Sequence, residues 1–279
     1  MASNTANPGV VYFDTNVYGM VAEAPDCWNA IRSYLLDNDL FLGLSEGDIL
    51  ELHDAHRLRA ELAQFLCSVP SVLIKLADTI VAEEVAAYPK GRTESLVLGP
   101  ISGEMLQPDC VHLVKSFFDR KRISNARSQQ RQGMPTFKQR AQNIARCCDE
   151  LGLHTEDDAA IYAPVIVAQW LGKNHADFLT GFRGRVDQFR GDLFKSLWLF
   201  GLVQYYVYRL HKRRPLDTDF GDLHHVFSLP YCQLVVMEKY LCQVLNHIKR
   251  NDKVLANVEI RDIDFVRDLT GLPLGRQNQ

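Results

Sequence analysis

Several signatures are missing from this sequence, and each absence narrows what it encodes. The polar opening MASNTANPG has neither the basic start nor the apolar run of a secretory signal. No stretch is a clean membrane span: the most hydrophobic, Leu193 to Leu210, carries Lys195 and Gln204 and reads as a buried helix. The seven cysteines have no regular spacing, and adjacent Cys147 and Cys148 suit a helix better than a zinc or redox site. Reduced thiols in a cytoplasm are the expectation, with no membrane association. HExxH is absent, which removes a common zinc-hydrolase helix. Internal repeats and low-complexity tracts are absent too.

What is present is the composition of a globular protein. The 279 residues are 47% apolar and 23% charged, enough to bury the core of one large domain or two small ones. A net charge of −3 hides an asymmetry. Residues 115–214 hold 18 Lys and Arg against 9 Asp and Glu, whereas the rest of the chain is net −12. An acidic part and a basic part point to different tasks, and the basic part suits a polyanion.

Val10 to Phe13, Leu40 to Ser45 and Val72 to Ala77 are short apolar runs of strand type. Helical spacing separates and follows them: Cys27 to Asp37, a helix starting at Ser45 and running through Ile49, Leu52, Leu58, Leu62 and Phe65, and Ile80 to Tyr88. Ser45 reads as an N-cap, with Asp48 three residues on in place of the usual glutamate. Such alternation means right-handed crossovers and a largely parallel sheet.

The alternation stops over residues 109–214, which read as helical almost throughout: Val111 to Asp119, Phe137 to Leu151, Glu156 to Trp170 and Asp187 to His211. Arg120, Lys121 and Arg122, and the stretch from Arg127 to Met134, read as a basic hinge or loop. The α/β pattern resumes with a helix at Asp219 to Leu229, a strand at Cys232 to Met237, a helix at Lys239 to Arg250 and a strand at Val254 to Ile260. The expected organisation is an α/β unit made of residues 1–108 and 215–279, split by a basic, all-helical insertion over 109–214.

In a parallel sheet, ligands gather beyond the carboxyl ends of the strands, where helix N-termini also point. Asp14 ends the first strand, Glu51 lies in the helix after the second, and Asp219 and Asp222 share a face of a late helix. Glu238 directly follows the LVVM strand. Two carboxylates about 4 Å apart repel by about 4 kcal/mol at an effective dielectric of 20, so such a cluster takes up a proton or a divalent cation. Oxygen donors without paired His or Cys favour Mg²⁺ or Mn²⁺. That ion chemistry suits phosphodiester hydrolysis. The same acids also suit plain helix caps and strand-end solvation.

VVYFDTNVYGMV resembles the opening strand of PIN-domain ribonucleases, which ends in Asp-Thr-Asn or a near variant. LGLSEGDILEL resembles that family's strand, serine and glutamate six residues on, and DFGDLHHVFSLPYCQLVVMEK resembles its late Asp-x-x-Asp helix and acid-ended strand. The resemblance covers roughly Val10 to Tyr88 and Asp219 to Leu269. It implies a three-layer α/β/α fold, with Asp14, Glu51 and Asp222 as the main metal-binding acids, Glu238 as the fourth, and Asn16 orienting Asp14 or the attacking water. Two positions depart from the pattern: Glu238 replaces the usual aspartate, and Met237 replaces the usual threonine or serine.

The insertion interleaves Phe117, Phe118, Asn125, Gln129 and Gln130 with Arg120, Lys121, Arg122, Arg127 and Arg131. Arginines suit phosphates and exposed aromatics suit unpaired bases. Lys212, Arg213 and Arg214, just before Asp219, are the other candidate RNA contacts, although cations at a helix end need no ligand. Tyr205 to Tyr208 read as a helix–helix or dimer contact. His53, His56, His224 and His225 read as surface groups or as neighbours of the acids. A phosphatase is disfavoured because Asn16 replaces its second aspartate, and a Ser-His-Asp hydrolase is not expected.

The resulting expectation is a Mg²⁺- or Mn²⁺-dependent ribonuclease in which Asp14, Glu51, Asp222 and Glu238 hold metal and Asp219 or Asn16 orients water. Such an activity endangers its own cell, so a regulated, toxin- or defence-like role is expected, with room for an inhibitory protein partner or a homo-oligomer. The rivals are a DNA-directed nuclease on the same acids and a catalytically silent RNA-binding or scaffold protein.

Overall fold

The computed structural model describes residues 9–89, 97–100, 114, 121–216 and 219–271, with a few side chains, those of Arg122 and Asp222 included, outside the description. Six strands form: β1 (Gly9–Phe13), β2 (Leu40–Leu44), β3 (Ser71–Ile74), β4 (Val97–Pro100), β5 (Leu234–Met237) and β6 (Glu259–Asp262). They make one sheet in the order β4-β3-β2-β1-β5-β6. All neighbours pair in parallel except β4, which adds an antiparallel edge to β3 that sequence reading did not anticipate.

Twelve α-helices are described: α1 (Thr15–Ala22), α2 (Trp28–Asp37), α3 (Glu46–Leu52), α4 (Arg59–Ser68), α5 (Ala77–Ala87), α6 (Lys121–Glu150), α7 (Ala159–Asn174), α8 (Ala176–Thr180), α9 (Lys195–Gln204), α10 (Asp219–His225), α11 (Lys239–Asn251) and α12 (Asp264–Thr270). Side chains alternate across each strand, so both faces of the parallel sheet can bury. Val11, Phe13, Leu42, Leu44 and Val236 pack with α1, α2 and α4 on one face. Val10, Tyr12, Val72, Val235 and Met237 pack on the other with α7, α9 and α11. The result is a three-layer α/β/α sandwich.

The helices of 109–214 are not a body apart. Tyr162, Ala163 and Val167 of α7 and Leu197, Leu199 and Val203 of α9 share one core with β1 and β5. Complete burial of a Leu or Val side chain stabilises by about 1.5–3 kcal/mol, which explains why so apolar a helix as α9 is drawn onto the sheet. Tyr205, Tyr206 and Tyr208 lie in this core as well, within a π-helical turn that extends α9. Their contact is internal helix packing.

The expected basic loop is also corrected. Residues 121–150 form one continuous helix, with Pro135 inside it. Its Arg, Gln, Lys, Met and Ala residues are good helix formers. The stripe Phe137, Ala141, Ile144 and Cys148 turns one face to the core. The expected helix from Val111 to Asp119 lies outside the described residues apart from Val114. The helix starting at Ser45 divides, with a 3₁₀ turn at His56–Leu58 between α3 and α4. The last strand comes later than expected, at β6, after a 3₁₀ turn at Lys253–Leu255.

The thiols divide as well. Cys27, Cys147, Cys148, Cys232 and Cys242 are free, but Cys67 is disulfide-bonded, against the expectation of uniformly reduced cysteines. Among the described residues, no helix is long and apolar enough to cross a membrane.

Candidate active site

From β1 the chain winds outward through β2 and β3, then returns to place β5 on the other side of β1. The direction of winding therefore reverses between β1 and β5, and such a switch point opens a crevice outside the carboxyl ends of the two strands. Asp14 directly follows β1 and Glu238 directly follows β5. The Asp14 carboxylate joins them: Oδ1 accepts from Val17 N at 3.0 Å, capping α1, and Oδ2 accepts from Glu238 N at 2.7 Å. The strand-end aspartate is thus both a helix cap and a clasp across the switch point.

The next residue, Thr15, reaches the third acid. Its Oγ1 donates to Glu51 Oε2 at 2.6 Å. Glu51 sits in the last turn of α3, which starts at a complete capping box: Ser45 Oγ accepts from Asp48 N, and Asp48 Oδ2 accepts from Ser45 N at 2.8 Å. Helices α3 and α10 approach closely because each has a glycine at the contact. A Cβ on Gly221 would lie 1.8 Å from Glu51 Oε1, and one on Gly47 would lie 2.5 Å from the His225 ring. The approach inserts His225 between two carboxylates, with Nδ1 3.6 Å from Asp48 Oδ1 and Nε2 3.6 Å from Glu51 Oε1. Tyr12 closes the network from β1, its hydroxyl donating to Asp48 Oδ1 at 3.0 Å.

Electrostatics sort these acids. Burial raises the pKa of Asp14, against the opposing pull of the Val17 and Glu238 N–H groups and of His225. Glu238 is raised by burial and by the neighbouring Asp14 charge. Burial also pushes Glu51 upward, but His225, Thr15 and Arg127 together outweigh it and leave Glu51 low. Asp48, wholly buried, is pushed up to about 6 by desolvation. Two strand-end acids with raised pKa values side by side are where a cation gains most by binding.

The cleft over these residues has a volume of about 720 Å³ and is lined by Asp14, Thr15, Asn16, Glu51 and Glu238 together with Arg127, Arg131 and Arg213. Of the candidate basic residues, these three arginines reach it. Lys121, Lys212 and Arg214 are exposed away from its lining, Arg120 lies outside the described residues, and the Arg122 side chain is not described. Arg213 stacks over the Tyr240 ring at 4.5 Å.

Asp219 does not line the cleft. Its carboxylate accepts from Arg213 Nη2 at 2.9 Å, from Tyr208 OH at 3.1 Å and from Leu216 N at 2.9 Å, so it anchors the start of α10 instead of facing a water. Lys239, the one lysine beside these acids, is turned to Asp264 at 2.6 Å. Asp222 is in α10, one residue after Gly221, and its side chain lies outside the description. Among the described residues, no three His, Cys, Asp or Glu side chains are grouped so as to hold a metal ion. The oxygen-only donors Asp14, Glu51 and Glu238 fit the chemistry of Mg²⁺ or Mn²⁺.

Sequence reading missed Asp48, Tyr12 and Thr15. The capping box disclosed Asp48 as a cap but not as a partner of Tyr12 and His225. Thr15 was legible only as the middle letter of Asp-Thr-Asn. One pattern was passed over: Gly43-Leu44-Ser45-Glu46-Gly47 has the GxSxG spacing, and Ser45 Oγ lies 3.2 Å from His225 Nδ1. The backbone at Ser45 is nevertheless ordinary and extended, φ −88° and ψ 164°, and its hydroxyl donates to Asp48 Oδ2 at 2.7 Å. A nucleophile elbow is a strained turn that exposes the serine, whereas Ser45 is a buried helix cap.

No protein-family model, curated protein or solved structure matches this chain.

Proposed function

We propose that the protein is a metal-dependent ribonuclease of the PIN-like kind, cutting phosphodiester bonds of single-stranded or structured RNA in the cleft between α3, α6 and α10. The observation that carries the proposal is the pairing of acids with arginines. Asp14, Glu51 and Glu238 face a common space with Arg127, Arg131 and Arg213, at the point where the sheet reverses its winding. Asp14, Glu51, Glu238 and Asp222 would hold Mg²⁺ or Mn²⁺, which supplies an activated water and offsets charge on the phosphoryl group. The arginines hold the phosphates, Asn16 at the cleft mouth orients the attacking group, and Thr15 and His225 fix the Glu51 carboxylate. A regulated, toxin- or defence-like role follows from the reading, with an inhibitory partner covering the cleft. The five free thiols among the described residues favour a cytoplasmic setting, with the Cys67 disulfide as its exception.

Matched single-stranded RNA and DNA oligonucleotides incubated with Mn²⁺ test the proposal. RNA cleavage that stops with chelator and is lost in Asp14→Asn supports it, and preferential DNA cleavage overturns the substrate choice. The second reading, an RNA-binding protein without catalysis, is favoured by the lack of a three-membered metal-ligand group among the described residues. It predicts RNA binding with no cleavage at any Mn²⁺ concentration.

A further inference from the structure

The basic part of the cleft lining has an anion of its own. Arg127 Nε lies 3.0 Å and Arg131 Nη2 2.7 Å from the same oxygen, Asp54 Oδ2. Both arginines come from α6, four residues apart on one face, and both line the cleft. Asp54 lies two residues beyond the end of α3, its N–H bonded to the carbonyl of Glu51 at 3.2 Å. The contact therefore ties the segment just after α3 to two arginines of α6 that line the cleft, while Asp54 itself is not part of the lining. Two guanidinium groups converging on one carboxylate oxygen mimic the way arginines gather on a phosphodiester oxygen, which carries the same single charge.

We infer that Arg127 and Arg131 form a phosphate subsite, and that Asp54 occupies it as an internal stand-in for a backbone phosphate of RNA. Substrate enters by exchange: the phosphodiester takes the two arginines, and Asp54 is released to solvent. Exposure decides that this pair exchanges and the neighbouring one does not. The difference lies in the carboxylate: Asp54 is 37% exposed, so its pairs with Arg131 (64% exposed) and with the less exposed Arg127 (22%) are screened by solvent. The Asp219 carboxylate that holds Arg213 is 5% exposed and carries two further hydrogen bonds. Arg213 is thereby a fixed charge of the cleft, and Arg127 and Arg131 are a gated pair. The gate makes binding weaker than the three arginines alone allow, which restrains a nuclease that meets RNA everywhere.

This inference rests on the RNA-directed reading of the cleft, and its test is independent of cleavage. The anisotropy of a short fluorescein-labelled single-stranded RNA is followed in chelator, across a salt series, for the wild type, Asp54→Asn, Arg127→Gln/Arg131→Gln and the triple variant. Asp54→Asn is expected to tighten binding by about two- to fivefold, the fold-change equivalent to an exposed ion pair. The double arginine variant is expected to bind more weakly, with a salt slope shallower by about 0.7 per lost contact. The deciding comparison is Asp54→Asn in the absence of the arginines: no gain there supports the exchange, because Asp54 acts only through its partners. An equal gain with and without the arginines overturns it, showing plain removal of a negative charge, and so does unchanged or weaker binding by Asp54→Asn. Loss of Mn²⁺-dependent cleavage with this coupling intact would overturn the catalytic reading and leave the phosphate subsite standing.

Discussion

Gly221→Ala is the substitution whose effect the structure sets most sharply. The new methyl group would sit 1.8 Å from Glu51 Oε1, well inside any permitted contact. The obstructing atom is the tip of a flexible side chain, so Glu51 swings away and the helices need not separate. In stability the terms oppose one another. Alanine in place of an interior helical glycine gains about 0.5–1 kcal/mol, and loss of the Thr15–Glu51 hydrogen bond to a charged acceptor costs about 1.5–3 kcal/mol. The net is a destabilisation of about 0.5–2.5 kcal/mol, visible as a drop in melting temperature with the fold intact. In function there is no offset, because Glu51 no longer faces the cleft. Loss of partners that merely orient metal ligands costs 10–100-fold, so displacing a ligand should lower Mn²⁺-dependent cleavage by at least about 100-fold. Thermal unfolding and single-turnover cleavage on the same preparation separate the two effects. A folded Gly221→Ala protein with wild-type cleavage would refute the placement of Glu51 in the site.

Gly47→Ala should destabilise too, but through overpacking against a ring and not through a lost hydrogen bond. Its methyl group meets the buried His225 ring at 2.5 Å, which has no room to swing, so an overpacking cost of about 1–3 kcal/mol is expected in denaturant melts. Glu84 gives a pH signature. It is 4% exposed, Oε1 accepts from Ser196 N at 2.9 Å, and among the described residues Oε2 meets no donor. Burial lifts its pKa from the ordinary 4.5 to about 7, so the folded state favours the protonated acid. Its contribution is complete below pH 4.5 and is lost as pH rises through about 7, a decline of about 3 kcal/mol across the window. Glu84→Gln should flatten that decline in melts taken at several pH values, and an unchanged slope would show the decline to arise elsewhere. Leu199→Ala removes a wholly buried side chain of α9 and should cost about 2–5 kcal/mol in a single cooperative transition. Two separate transitions would mean that the helices of 109–214 fold as a unit of their own.

The parts of this fold that were legible in the sequence are those governed by local rules. Apolar runs bounded by turns located β1 and β2 to within a residue and β3 and β5 to within two or three, and the Ser45–Asp48 capping box formed with both of its hydrogen bonds. The edge strand β4 was missed because its residues carry no alternation of their own and pair only by tertiary context. Residues 121–134 read as a loop because their polarity hid helical propensity, and their packing face is clear only together with Phe137, Ala141 and Cys148. Asp14, Glu51 and Glu238, singled out by their places at strand ends and in the helix after β2, do line one cleft. The closing of α3 on α10 through Gly47 and Gly221 was not legible, since it depends on two glycines 174 positions apart in the chain, each leaving room for a side chain of the other helix. Asp219 misled for a related reason: an acid at a helix start serves equally as an anchor, and only its contacts with Arg213 and Tyr208 distinguish the two.

The central claim is that the carboxyl edge between β1 and β5 holds a divalent metal. Anomalous diffraction from crystals soaked in Mn²⁺ tests it most directly. A manganese peak is expected within coordination distance of Asp14 and Glu51, with Glu238 and Asp222 completing the protein ligands, and it should vanish in Asp14→Asn crystals. A well-diffracting wild-type crystal at saturating Mn²⁺ with no peak among these four carboxylates would contradict it.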